Sequence, residues 1–159
     1  MQAILQSNAG LVEVLNGGQI ISASSGSGRA GKITVNATDR VLVNGTDAKF
    51  NERLDKFPAR FTNFGSASGF FVLASSSGIA GDIEVTSPTI TLDNKGRFIA
   101  ESFSGNGGNI NLQARDLLLL RHGSQISTSV GIDKKGGNSG NVNINSKFIV
   151  AIPKENSKI

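Results

Sequence analysis

The one histidine, His122, stands between Arg121 and Gly123 in a turn-like stretch, RHGS. A catalytic imidazole needs an orienting partner and a nucleophile within hydrogen-bond reach. Its local sequence supplies neither, so His122 reads as an exposed turn residue. GSGRAGK at 26–32 fits G-x-G-x-x-G and comes close to a P-loop. A phosphate site of either kind needs a helix N-terminus behind the glycines. Here ITVNAT follows, with the alternation of a strand, and Ile33 occupies the place of the magnesium-binding Ser or Thr. No phosphate-bearing cofactor is expected. GNGGN at 105–109 has the look of a calcium-binding nonapeptide, but the repeated Asp is missing. The equivalent slots elsewhere hold Lys32, Asp82 and Asn141, so no metal is expected, and Asn109 and Asn141 should instead stack as an amide ladder.

Polysaccharide cleavage uses two acidic groups facing each other across the scissile bond. The positions that should face outward in equivalent strands are Thr34, Glu84, Asn111 and Asn143, and only one is acidic. No catalytic residue is assigned, and the chain is not expected to be an enzyme. A regular threonine face for binding ice is also excluded, because Thr91 is matched by Leu42.

The elements that would carry these residues repeat. GKITVNA from Gly31, GDIEVTS from Gly81, GNINLQA from Gly108 and GNVNINS from Gly140 each place apolar residues at the third and fifth positions. That two-residue period marks a strand with one buried face. The inward pairs are Ile33 and Val35, Ile83 and Val85, Ile110 and Leu112, and Val142 and Ile144. A second apolar piece follows each: VLV at 41–43, ITL at 90–92, LLLL at 117–120 and IVAI at 149–152, with VEV at 12–14 belonging to an earlier, partial coil. The inward side of LLLL is ambiguous. A third strand begins after a glycine turn, at GGQIISA, GFFVLA, GRFIAES and GSQISTS, with Ile20, Phe71, Phe98 and Ile126 expected to face inward.

Three short strands with one apolar face each cannot bury that face within a single repeat. Stacking the repeats as parallel coils does. The expected fold is all-β: a right-handed parallel β-helix with three short strands per coil, spanning 1–159 as about five coils, the first and last incomplete. Successive starts lie 50, 27 and 32 residues apart, and a solenoid absorbs such differences by looping the excess out at corners. A β-sandwich is disfavoured by the fixed order of three strand types. The excess in the 50-residue coil is an insertion at 46–68, TDAKFNERLDKFPARFTNFGSAS. Leu54, Phe57 and Phe61 share a helical spacing that Pro58 must end. The insertion is expected to form a corner loop with one short helix, its phenylalanines lying against the flank.

Composition fits this architecture. There are 20 Gly and no Cys, and 16 basic residues face 12 acidic ones for a net charge of +4. The charges are dispersed, so no nucleic-acid footprint is present. No apolar run approaches membrane-spanning length, and the N-terminal MQAILQSNAG has none of the features of a signal peptide.

GNINLQARDLLLLRHGSQISTSV and GNVNINSKFIVAIPKENSKI resemble the repeats of filamentous-haemagglutinin-type exoproteins of two-partner secretion, especially cyanobacterial versions. VNGTDAKF with the later SGFF is similar to a longer coil of the same proteins. The resemblance covers nearly the whole chain. It implies a right-handed β-helix and passage through an outer-membrane transporter, with which the lack of cysteine agrees. It also implies an extracellular or cell-surface location for the parent protein, and adhesion or aggregation through cell-surface, matrix or polysaccharide ligands. The secretion domain of such proteins is not found in these residues, and Ile159 falls at the onset of a third strand. The chain is therefore expected to be a segment of a longer solenoid that frays at its ends and associates end to end. A polysaccharide-binding or polysaccharide-cleaving β-helix, and a non-functional exoprotein fragment, are the alternatives.

Overall fold

The structure, a computed structural model, describes residues 4–57, 65–75, 77–129 and 137–159. Its strands are β1 (Ile4–Leu15), β2 (Gln19–Ser24), β3 (Lys32–Asn44), β4 (Gly69–Ala74), β5 (Ile83–Asp93), β6 (Arg97–Ser102), β7 (Ile110–Leu120), β8 (Gln125–Ser127) and β9 (Val142–Ala151). They form two parallel sheets, ordered β1-β3-β5-β7-β9 and β2-β4-β6-β8. The fold is a β-solenoid of about five coils, as the repeats require.

The alternating residues stack in columns. Ile33 lies beside Ile83, which lies beside Ile110, and Val35, Val85 and Leu112 follow in the same way. All six side chains are fully buried. Asn111 and Asn143 lie on the opposite, outward face in register with Glu84. The ambiguity of LLLL is resolved by its neighbours: Leu118 and Leu120 are buried beside Ile90 and Leu92.

The first two segments of each coil are not separate strands, as expected, but two halves of one long bent strand. A register shift marks the bend, at Asn36/Arg40 in β3, Ser87/Thr89 in β5 and Ala114/Leu117 in β7. The residues at the bend, such as Thr38 and Asp39 or Arg115 and Asp116, stay extended and face solvent, so the backbone turns the corner without leaving the sheet. β1 extends this pattern into the first coil, where Leu5 and Ser7 pair with Ile33 and Val35 ahead of the VEV segment.

The third strand carries a correction. Phe70, not Phe71, enters the core, where its ring stacks on Phe98 with centroids 4.8 Å apart. The sequence GFFVLA is apolar throughout, and Val72 shares the inward face with Phe70, which pairs with Phe98. Phe71 lies on the outer face of β4 in a small second cluster with Ile99.

Glycine at the coil starts answers a steric demand. A Cβ on Gly81 would lie 2.1 Å from the Gly31 carbonyl oxygen, one on Gly108 1.8 Å from that of Gly81, and one on Gly140 1.9 Å from that of Gly108. Each glycine sits directly over the carbonyl of the coil beneath, where no side chain fits. At the opposite corner, Asn16 and Gly17, Asn94 and Lys95, and His122 and Gly123 all have positive φ. Gly18, Gly96 and Ser124 donate their N–H back to Leu15, Asp93 and Arg121, closing turns of the type I′ pattern. In a solenoid such turns change direction between sheets instead of making hairpins.

The insertion leaves the coil through a pinned neck. Thr46 and Ala67 form an antiparallel bridge, and the Gln19 amide donates to the carbonyls of Gly65 and Ala67. The expected short helix is α1 (Phe50–Lys56), and it contributes no buried residue. Of the insertion's phenylalanines, Phe50 is half-buried and Phe57 is 54% exposed. Pro58, Phe61 and Phe64 lie outside the described residues. At the far end Lys158 bridges to Gln125, so the onset of a third strand falls where expected. Beyond their single partner strands, β1 and β9 present half-covered or exposed core positions, Leu5 and Ile149 among them.

Ile110→Ala should destabilise the chain by about 2–5 kcal/mol, the range for large-to-small core substitutions, whereas Asn111→Ala removes one exposed rung and should cost about 1 kcal/mol. Denaturant unfolding of the two variants checks this, and equal losses would reverse the register.

Candidate functional site

Most of the polar groups that could carry chemistry sit in three places: one corner, the coil starts, and the outward rows of the large sheet. The corner after the long strands brings together residues from three successive coils. Asp93 ends β5, Arg121 and His122 follow β7, and Glu155 comes from a 3-10 turn, Pro153–Glu155, after β9. Arg121 holds Glu155 through both ends of its fork, with Nε and Nη2 donating at 2.7 Å each. The His122 backbone N–H donates to the same carboxylate at 3.1 Å, and the His122 ring places Nδ1 2.7 Å from Asp93 Oδ1 and Nε2 3.4 Å from Glu155 Oε1.

His122 therefore has the orienting partners that its local sequence does not supply. The Ser124 hydroxyl is buried and donates to the Arg121 carbonyl at 2.6 Å, which commits it to closing the turn. The arrangement works as a clamp that fastens the 3-10 turn across two coils. The Arg121 guanidinium, followed by the His122 N–H, holds the Glu155 carboxyl down to about 2, and the same bonds hold the Arg121 pKa above its usual value.

At the coil starts the expected ladder between Asn109 and Asn141 takes a different form. Asn109 Oδ1 accepts the backbone N–H of Asn141 at 3.0 Å, and Asp82 Oδ1 accepts that of Asn109 at 2.8 Å. The side chain of each coil satisfies the backbone of the next, which explains why Asp and Asn interchange in this slot. Asp82 also pairs with Arg29 at 3.0 Å, drawing the GSGRAGK segment into the corner. Among the described residues no group of three or more His, Cys, Asp or Glu side chains is placed to hold a metal ion.

Amide rungs do form on the outward rows. Asn36 donates to Asn8 at 2.8 Å, Asn143 to Asn111 at 2.8 Å and Asn145 to Gln113 at 3.0 Å. One row runs Asn8, Asn36, Thr86, Gln113, Asn145 through all five long strands. It is bonded at both ends and broken in the middle, where Thr86 replaces the amide. A shallow cleft of about 560 Å³ opens beside that break, at the bend of the sheet, lined by Asn8, Asn36, Thr38, Thr86, Ser87 and Arg115 among others. The Ser87 hydroxyl, buried beside Ala114, has no hydrogen-bond partner among the described residues.

On the large sheet, Glu84 and Asp116 are each tied to a lysine. Glu84 meets Lys32 at 2.6 Å, and Lys147 holds the Asp116 carboxyl below its usual range by a 2.9 Å hydrogen bond. No helix among the described residues is long and apolar enough to cross a membrane. Compared with known protein families, curated proteins and solved structures, the chain matches none.

The clamp predicts a pH dependence. Because the Glu155 pKa is depressed in the folded chain, its contribution is fully present above the unfolded value of about 4.5 and is lost as pH falls toward about 2. Hydrogen exchange at the His122 amide should accelerate over that window, relative to the amide of Ile83, after correction for intrinsic exchange. In Glu155→Gln the differential should be absent, and persistence of the full differential would assign it to another group.

Proposed function

We propose that the chain is a structural repeat module of a secreted or cell-surface adhesin of the filamentous-haemagglutinin type, acting as spacer and contact surface. The observation that carries this reading is the continuity of the two sheets through coils of 50, 27 and 32 residues. Length differences are absorbed at corners while the ladder registers continue. That tolerance lets coils be added and varied without loss of the core, as a rigid extended stalk requires. The outward face adds amide and hydroxyl rows, which favour contact with hydrated surfaces over burial against an apolar partner. Export of the parent protein through an outer-membrane transporter belongs to the same reading and rests on the repeat resemblance.

Polysaccharide cleavage is a different proposition, and the engagement of Glu84 by Lys32, Asp82 by Arg29 and Glu155 by Arg121 does not favour it. Beads coated with the purified chain should adhere to bacterial or host-cell surfaces, or to one another, more than beads coated with an unrelated protein. The same protein should release no reducing ends or unsaturated products from acidic polysaccharides. Failure of every adhesion and aggregation assay would remove the adhesin reading. Turnover abolished by Glu84→Gln or Asp93→Asn would replace it with an enzyme.

A further inference from the structure

The break in the amide row has a chemical consequence. Asn36 spends its Nδ2 on Asn8, and Gln113 spends its Oε1 on Asn145. Asn36 Oδ1 and Gln113 Nε2 have no hydrogen-bond partner among the described residues, and Thr86 lies between them. An acceptor, a hydroxyl and a donor thus follow one another at the strand spacing of about 4.8 Å. Arg115, from the next coil's bend, reaches the cleft beside them and forms no ion pair among the described residues. Of the other charged groups nearby, Asp116 is engaged by Lys147, Glu84 by Lys32 and Arg40 by Glu13, while Asp39 faces solvent and accepts from the Thr38 hydroxyl.

The geometry points to a binding site for an acidic oligosaccharide lying along the solenoid axis across Asn36, Thr86 and Gln113, with one carboxylate on Arg115. Sugar rings linked in an extended chain repeat at nearly the coil spacing, so successive hydroxyls meet successive rungs. Neutral amides and a threonine hydroxyl serve as both donors and acceptors, which suits vicinal hydroxyls. The single guanidinium, free to accept a planar bidentate anion, selects a uronic acid over a neutral sugar. The inference deepens the adhesin reading by naming a ligand class for its contact surface, and it rests on that reading only for its biological meaning.

Thr86→Asn supplies the test, because it gives the row the residue type found at its other positions. The new amide should bridge Asn36 and Gln113, consume the unpaired groups and leave Tm equal or higher. Titration of the full chain with tetragalacturonate, followed calorimetrically, should show binding by the wild type. Thr86→Asn and Arg115→Gln should each weaken it by about tenfold or more, the scale of a lost charge-assisted or bridging hydrogen bond. The carboxyl-reduced tetrasaccharide should bind the wild type about tenfold more weakly, for the same reason. No binding by the wild type, unchanged binding by Thr86→Asn with a retained Tm, or equal affinity for the reduced ligand would each overturn the site. A wild type that adheres to cells yet ignores the saccharide sinks the cleft alone, and one that binds the saccharide but adheres to nothing sinks the adhesin reading alone.

Discussion

Everything in this molecule depends on how closely one coil's backbone can lie upon the next. Parallel strands must approach to about 4.8 Å to bond, and the corners must approach equally or the strands are pried apart. At the coil starts the approach is possible only because Gly81, Gly108 and Gly140 stack with each Cα over the carbonyl of the glycine in the preceding coil, beginning with that of Gly31. One Cβ in that column would displace a peptide unit shared by two coils. The glycine content is therefore a packing requirement at these places, and flexibility is not its purpose.

The other corners meet the same constraint by different means. Where the chain passes from the large sheet to the small one, positive-φ residues fold the backbone sharply, and the residues that flank them bond to each other across the turn. Where the large strand bends, extra residues bulge outward and leave the ladder intact on both sides. Buried columns then fill the space that the backbone has enclosed, with large and small residues compensating one another: Phe70 and Phe98 stack at one rung while Val72 and Ala100 stand at the next. The outside is free to vary, and there the amide rows, the ion pairs and the charged clamp accumulate.

Much of this was legible in the residues. The two-residue period at Ile83 and Val85 or Ile110 and Leu112 reports a buried face directly, and the recurrence of that period after each glycine start reports the stack. What was not legible has physical causes. The bend joining the first two segments has no turn residue common to all coils: Gly10 and Pro88 stand at two of the bends, and Arg115 and Asp116 at another. GFFVLA is apolar on both faces, so its parity depends on Phe98, a residue it meets only in three dimensions. The clamp was hidden for a related reason: Asp93, His122 and Glu155 are 29 and 33 residues apart in sequence, and only the coil geometry makes them neighbours. Superposing the coils places Asp93 in register with Arg121, one residue before His122, which is a usable signal. Glu155 reaches them by folding back through a 3-10 turn that the repeat pattern does not contain.

The parallel ladders also determine how the molecule would carry a load. Their hydrogen bonds point along the solenoid axis, and the chain enters at one end of the stack and leaves at the other. Tension applied through the two chain ends therefore meets the ladders one rung at a time, in the manner of a zipper, and detaches a terminal coil while the remainder holds. A coil of 27 residues pays out roughly 90 Å of slack as it is released. The Arg121–Glu155 clamp is an early fastening on the C-terminal side, since it ties the segment after β9 back to the coil below. A force directed across the axis instead strains many rungs of several coils together. Such a body is stiff when pushed from the side and yields in measured steps when drawn out lengthwise, the behaviour of a tether that absorbs a pull without snapping.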